Sequence, residues 1–87
     1  MLVSNLVPTS GQKDFYGKAV VITKGGTTYL KSYETIVASY DVVGFHRHWL
    51  GWSLTTAKHI NSFRASFGDG AISKYEWFRF PVVDCNI

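Results

Sequence analysis

The spacing of apolar residues changes once along the chain, at Gly51-Trp52-Ser53, and this change restricts the fold more than any other feature. In the segment before it, 15–50, apolar and polar residues alternate in short runs, which is the period of a β-strand. After it, residues recur every three or four positions, as on one face of a helix. These residues are Thr56, Ala57, Ile60, Phe63 and Phe67. The sequence therefore predicts an α+β fold in which strands precede a helix that packs on their sheet.

Four segments are candidates for the strands of an antiparallel meander. The first, 15–23, ends at Lys24-Gly25-Gly26, and the two glycines can adopt the positive φ angles of a two-residue hairpin turn. The return strand covers 27–33, a third covers 35–40, and a fourth candidate covers 43–50. We therefore expect a three- or four-stranded sheet.

Two helices are predicted after the strands. Ser53 or Thr55 can cap the first helix by accepting hydrogen bonds from its first backbone N–H groups, and Gly68 ends it. The run Ser73-Lys74-Tyr75-Glu76 has the form of a capping box. It predicts a short C-terminal helix that stops before Pro81.

The 87 residues have room for one small domain. Residues 1–14 contain a turn-forming run without periodicity, so we expect a flexible N-terminal arm there and a single α+β domain over residues 15–87. The only cysteine, Cys85, cannot form an internal disulfide, which favours a reducing, cytoplasmic setting. No segment approaches the roughly 20 apolar residues of a membrane span, so we expect no membrane partner.

Charge and motifs point away from catalysis. Nine Lys and Arg against six Asp and Glu give a net charge of +3 without a basic run, which permits weak attraction to nucleic acid or to an acidic partner. The sequence shows no nucleophile elbow, no phosphate-binding loop and no closely spaced pair of carboxylates. We expect a protein that is not an enzyme and holds no cofactor, with zinc as the one possible exception.

The zinc hypothesis rests on His46 and His48. They lie two positions apart on the predicted fourth strand, so both imidazoles project from one face at about 6–7 Å, a separation that allows both to bind one metal ion. His59 or Cys85 could complete the site. For the first two histidines the alternatives are an exposed edge strand that carries polar residues, or stacking of the imidazoles on aromatic rings. For Cys85 the alternative is a half-buried apolar role, and for His59 it is partial burial with a hydrogen bond to a strand carbonyl.

A second candidate site is Arg47, which lies between Phe45 and Trp49 on the other face of the same predicted strand. A cation flanked by aromatic rings suits protein interfaces, where Trp, Tyr and Arg contribute most of the binding energy. We predict these three residues as anchors for a protein partner, with Lys58 and Arg64 on the helix as alternates.

Two further interpretations stay open for the basic residues. Arg64 falls on the helical arc that should face the sheet, so we expect its aliphatic stem to lie over a Trp or Tyr ring with the guanidinium at the rim, or the side chain to contact a partner. A nucleic-acid-binding module would instead use Arg47, Lys31 and Lys18 with nearby aromatic rings.

The stretch Gly51-Trp52-Ser53-Leu54-Thr55-Thr56-Ala57-Lys58-His59-Ile60-Asn61-Ser62-Phe63 resembles a G-W-S-x-T-T-x-[KR]-H-I-x-x-F signature. The signature is found in small uncharacterised proteins of phages and mobile elements of Gram-positive bacteria. Segments 15–19 and 32–40 are similar to the same group, a domain of unknown function with no catalytic residues to carry over. The resemblance implies an accessory protein that binds and occludes a host or defence protein, for example in a nucleic-acid-targeting immune system. A nucleic-acid-binding module and a small metal-binding domain are the alternatives.

Overall fold

A computed structural model describes residues 1–8 and 14–85 of the chain. Five strands are followed by two helices: β1 (Leu2–Asn5), β2 (Ala19–Lys24), β3 (Thr27–Ser32), β4 (Thr35–Tyr40), β5 (Phe45–Arg47), α1 (Leu54–Ser66) and α2 (Lys74–Arg79). The strands form one antiparallel sheet in the order β1-β2-β3-β4-β5, so each strand pairs with its neighbours in the sequence. The predicted α+β class is confirmed.

The sheet has five strands, so the expected three or four is wrong. The additional strand, β1, lies within the segment expected to be a flexible arm, and it pairs with β2 from Leu2 opposite Thr23 to Asn5 opposite Val20. Four residues are too few to show a two-residue period, and all four are exposed, so no apolar pattern marks this strand in the sequence. Most of the turn-forming run lies at 9–13, outside the described residues.

The turns explain where the strands begin and end. Gly25 and Gly26 both have positive φ angles, +60° and +81°, and they form the predicted two-residue hairpin turn between β2 and β3. The fourth predicted strand, 43–50, is reduced to β5. Its first two residues belong to a turn in which Asp41 and Gly44 exchange backbone hydrogen bonds of 3.1 and 3.2 Å.

The predicted helix caps are confirmed. The side chain of Ser53 accepts from the backbone N–H of Thr56 at 3.1 Å and begins α1, and Gly68 follows its end with a φ of +78°. Ser73 and Glu76 form both hydrogen bonds of the capping box at the start of α2.

The core lies between one face of the sheet and the two helices. α1 contributes Ile60 and Phe63, and α2 contributes Trp77, all fully buried. Each such side chain stabilises the fold by about 1.5–3 kcal/mol through apolar burial. The indole N–H of Trp77 donates to the carbonyl of Gly51 at 2.8 Å, which ties α2 to the loop before α1. Neither helix of the described residues has the length and apolarity needed to cross a bilayer.

Candidate functional site

The register of the sheet decides which side chains face the helices. Tyr40 lies opposite Phe45 and Ala38 lies opposite Arg47, and both Tyr40 and Ala38 belong to the core. Residues directly opposed on antiparallel strands point to the same side, so Phe45 and Arg47 face the helices and His46 faces away. We call the second side the open face. By the same alternation its strand residues are Val3, Asn5, Val20, Ile22, Lys24, Thr27, Tyr29, Lys31, Ile36, Ser39 and His46.

Arg47 is buried on the helix side, with 5% of its surface exposed. Its guanidinium donates to three backbone carbonyls, through Nε to Trp49 at 2.8 Å, through Nη2 to Leu50 at 2.9 Å and through Nη1 to Phe80 at 3.0 Å. Its Cζ also lies 5.2 Å from the ring centroid of Trp77. Burial lowers the pKa of Arg47 below its usual value, but a guanidinium stays charged throughout the pH range of folded proteins.

The predicted anchor residues also have contacts inside the molecule. Arg47 is buried and satisfies internal carbonyls, so it is not the exposed cation that the binding patch and the nucleic-acid module were expected to use. Phe45 and Trp49 are partly buried and pack against the core. Sequence alternation grouped these three side chains correctly, but it did not show which face the helices cover.

The two alternate anchor residues on α1, Arg64 and Lys58, differ in their surroundings. The Cζ of Arg64 lies 4.6 Å from the ring centroid of Phe45, and its Nε donates to the carbonyl of Gly70 at 2.8 Å. The prediction placed the stem over Trp or Tyr, whereas here the guanidinium itself lies over a phenylalanine ring. Lys58 is exposed on α1 and remains available to a partner.

On the open face, Asp41 organises the turn between β4 and β5. Its Oδ1 accepts from the backbone N–H of Val43 at 2.9 Å and of Gly44 at 3.2 Å, and lies 2.9 Å from Nε2 of His46. The hydrogen bond from His46, followed by the backbone donors, holds the pKa of the Asp41 carboxyl below its usual value. The turn is therefore fixed by three donors on one carboxylate oxygen.

This turn presents the aliphatic residues Val42 and Val43, which we call the aliphatic turn. Their side chains are 96% and 84% exposed. Val43 was expected to begin a strand, and neither valine was predicted to have a function. The signal was available in the residues themselves, because two β-branched apolar residues between Asp41 and Gly44 sit where turns usually carry polar residues.

His48 connects the sheet to the C-terminal segment. Its Nδ1 lies 2.6 Å from the carbonyl oxygen of Val83 and therefore donates, and its Nε2 lies 2.8 Å from the hydroxyl of Ser39. His46, His48 and Cys85 line one pocket with a volume of about 180 Å³. The two histidines and the cysteine of the zinc hypothesis thus lie on the same side of the sheet.

His59 lies on the other side of the sheet and is 2% exposed. Its Nδ1 is 2.8 Å from the hydroxyl of Ser32, which is 3.0 Å from the hydroxyl of Thr56, and its ring meets Phe15 edge-on at 4.6 Å between centroids. Burial lowers the pKa of His59. The predicted burial is confirmed, but the strand partner is a hydroxyl and not a carbonyl.

The described residues therefore do not assemble the expected ligands. His59 cannot join His46 and His48 across the sheet, and in residues 1–8 and 14–85 no three His, Cys, Asp or Glu side chains are grouped to hold a metal ion. His48 would also have to release Ser39 or Val83 before binding a metal, since both of its ring nitrogens already have partners.

The rest of the open face is apolar in its centre. Val20, Ile22, Tyr29 and Ile36 are neighbours there by register, and none belongs to the core cluster of the described residues. Lys24 and Lys31 share this face by register, and the ammonium of Lys31 lies 3.6 Å from the carboxylate of Glu34. An apolar centre with a charged border is the arrangement of a protein-binding surface.

A family model described as a family of unknown function (DUF8033) matches residues 4–79. The matched range includes the Gly51 to Phe63 stretch that carries the resemblance given above, and the description names no activity. No curated protein and no solved structure matches the chain.

Proposed function

We propose that this chain, which belongs to the DUF8033 family of unknown function, is a non-catalytic binding domain. Its open face and aliphatic turn seat on a protein partner and occlude the surface that they cover. The resemblance to phage and mobile-element proteins makes a host or defence protein in the cytoplasm the partner to test first.

The apolar centre of the open face is the observation that supports this proposal. An antiparallel sheet with one solvated face normally alternates apolar residues inward and polar residues outward. Here β2 and β4 place Val20, Ile22 and Ile36 on the face that no described helix covers. A partner that covers this face would remove their apolar surface from water, which favours association by about 25 cal/mol per Å².

The aliphatic turn adds an anchor at the border of this face. Because two backbone N–H groups and the imidazole of His46 donate to the Asp41 carboxylate, the turn loses little conformational freedom when Val42 and Val43 enter a partner. The molecule measures 32 × 30 × 25 Å, so one face can supply the roughly 800 Å² that a stable interface needs on each side.

The proposal is tested with a partner captured from the natural host on immobilised wild-type chain and then identified and purified. We expect Ile22→Asp and Val43→Asp each to weaken binding at least about 10-fold in calorimetric titration, because each places a carboxylate in a desolvated apolar contact. Lys58→Glu on α1 is the matched control, and it should bind within about twofold of wild type since it lies on the helix side.

Circular dichroism must show that each variant is folded before its affinity is compared. Wild-type affinity in both Asp variants would show that the partner uses another surface. Inhibition of many partner molecules by one copy of the chain would exclude occlusion, which is stoichiometric.

Nucleic-acid binding is the second candidate, and the lysines of the open face favour it. By alternation Lys24 and Lys31 share this face with Tyr29, and a cation beside an aromatic ring suits phosphate contact and base stacking. Lys18 precedes β2, and its Nζ lies 5.9 Å from the ring centroid of Tyr33. Fluorescence anisotropy with labelled single-stranded and duplex oligonucleotides tests it at low salt. Dissociation constants weaker than about 100 μM for both would exclude this function.

A further inference from the structure

The outer side of β1 is an open sheet edge. β1 is the first strand in the sheet order, and among the described residues only β2 pairs with it. Leu2 and Val3 are 74% and 61% exposed. An edge of this kind offers a row of backbone donors and acceptors to another strand.

The backbone groups that point outward belong to Val3 and Asn5. The N–H of Leu6 donates to the carbonyl of Ala19 at 2.9 Å, which continues the register of β1 with β2. In an antiparallel pair the hydrogen-bonded positions alternate along the strand, so Ser4 and Leu2 also direct their groups to β2. The N–H and C=O groups of Val3 and Asn5 therefore point away from the sheet.

The opposite edge of the sheet is closed. Arg47 of β5 forms a parallel bridge with Val82, and its carbonyl accepts from the N–H of Val83 at 2.8 Å. β1 also carries neither a charged residue nor a proline, which are the usual features that prevent an edge strand from pairing.

We propose that a second copy of this chain occupies the β1 edge, forming a symmetric dimer through antiparallel pairing of the two β1 strands. With Val3 opposite Val3 of the second copy, each Val3 N–H donates to the other Val3 carbonyl, and Leu2 lies opposite Ser4. The two-fold axis is then perpendicular to the sheet, so the open faces of both copies lie on the same side and form one continuous surface.

The length of β1 sets the strength of this dimer. Four residues from each chain, with the exposed side chains of Met1 and Val7 beside them, bury less than the roughly 1,200 Å² of a standard interface. We therefore expect a reversible dimer with a dissociation constant of about 10 μM to 1 mM, in the range of weak interfaces.

Sedimentation equilibrium of the full chain between about 5 μM and 2 mM tests this proposal. We expect the average mass to rise from the monomer value of 9.8 kDa toward twice that value as concentration increases. Val3→Pro should remain monomeric, because proline removes the outward N–H and leaves the β1–β2 hydrogen bonds in place. Val3→Thr is the matched control. It keeps the N–H and the branched shape, so its dissociation constant should stay within about threefold of wild type.

A charge pair tests the register. Val3→Lys and Val3→Glu should each be monomeric alone, since like charges would face each other across the axis, and an equimolar mixture should dimerise. A wild-type chain that stays monomeric at about 2 mM overturns the proposal. So does a dimer that Val3→Pro and Val3→Lys leave unchanged, since it would use another surface.

Discussion

Arg47 joins β5 and the loop that follows it to the end of α2, which is distant in the sequence. Its guanidinium binds the carbonyls of Trp49 and Leu50 in the loop after β5, and the carbonyl of Phe80 at the end of α2. A planar group with donors on three nitrogens can satisfy three carbonyls at once, whereas the ammonium of lysine is a single point charge. The residue that the sequence suggested as a surface anchor thus stabilises the packing of α2.

We expect Arg47→Lys to lower the free energy of unfolding by about 2 kcal/mol or more, because it leaves buried carbonyls without donors. Urea denaturation followed by tryptophan fluorescence measures the change. Arg79→Lys, the same substitution at an exposed position of α2, should change stability by less than about 0.5 kcal/mol. Equal effects of the two substitutions would contradict the role assigned to Arg47.

His59 makes stability depend on pH in the mildly acidic range. Its pKa in the folded chain is lowered by burial from the ordinary value of 6.5, so below that pH the unfolded chain binds a proton that the folded chain does not. The stability that neutral His59 contributes is therefore complete above about pH 6.5 and is lost as the pH falls toward the folded pKa. The free energy of unfolding then decreases by at most about 1.4 kcal/mol per pH unit.

Denaturant unfolding at pH 5.0 to 7.5 measures this slope. His59→Gln keeps a polar group near Ser32 and cannot titrate, so we expect a smaller loss of stability on acidification than in wild type. An unchanged slope in this variant would assign the pH dependence to groups other than His59.

The elements differ in how strongly the local sequence determines them. The turn at Gly25 and Gly26 and the cap at Ser53 depend on residues within four positions of each other, and the sequence predicted both. β1 was missed because, among the residues that the structure describes, it pairs only with β2, which begins at residue 19. The covered face was also not predictable, since alternation separates two faces without showing where a later helix will pack.

In the loop between β5 and α1, Gly51 has no room for a side chain. An ideal Cβ at Gly51 would lie 2.6 Å from Cζ2 of Trp49, although no positive φ constrains this residue. We expect Gly51→Ala to displace the indole and to destabilise the chain by about 1–3 kcal/mol through overpacking.

Gly70→Ala provides the comparison, because a Cβ there meets no atom within 4 Å. Its stability should be equal to wild type or higher by a few tenths of a kcal/mol, about the effect of restricting the unfolded chain. Thermal unfolding and the tryptophan emission maximum should separate the two variants. A Gly51→Ala variant as stable as Gly70→Ala would show that Trp49 moves aside without cost.

At the scale of the whole molecule, the candidate site is defined by what the helices leave uncovered. Both helices follow the strands in the sequence and pack on the side of Leu30 and Ala38, so the other side carries Ile22, Tyr29 and Ile36 toward solvent. The sequence could not predict that these residues share one face, because this depends on the register of the strands. The register of β3 with β4 shifts between Leu30, which lies opposite Ala38, and Lys31, which lies opposite Ile36.

The order of strands in the sheet also has a consequence for how the chain folds. Every strand pairs with the next one in the sequence, and β2, β3 and β4 are joined by turns of two residues. These three strands can therefore form by successive hairpins without first closing a long loop, and a hairpin forms in about 1–10 μs. Pairing of β1 with β2, docking of Trp77 and pairing of Val82 with β5 join more distant parts of the chain, so we expect these steps to follow the hairpins.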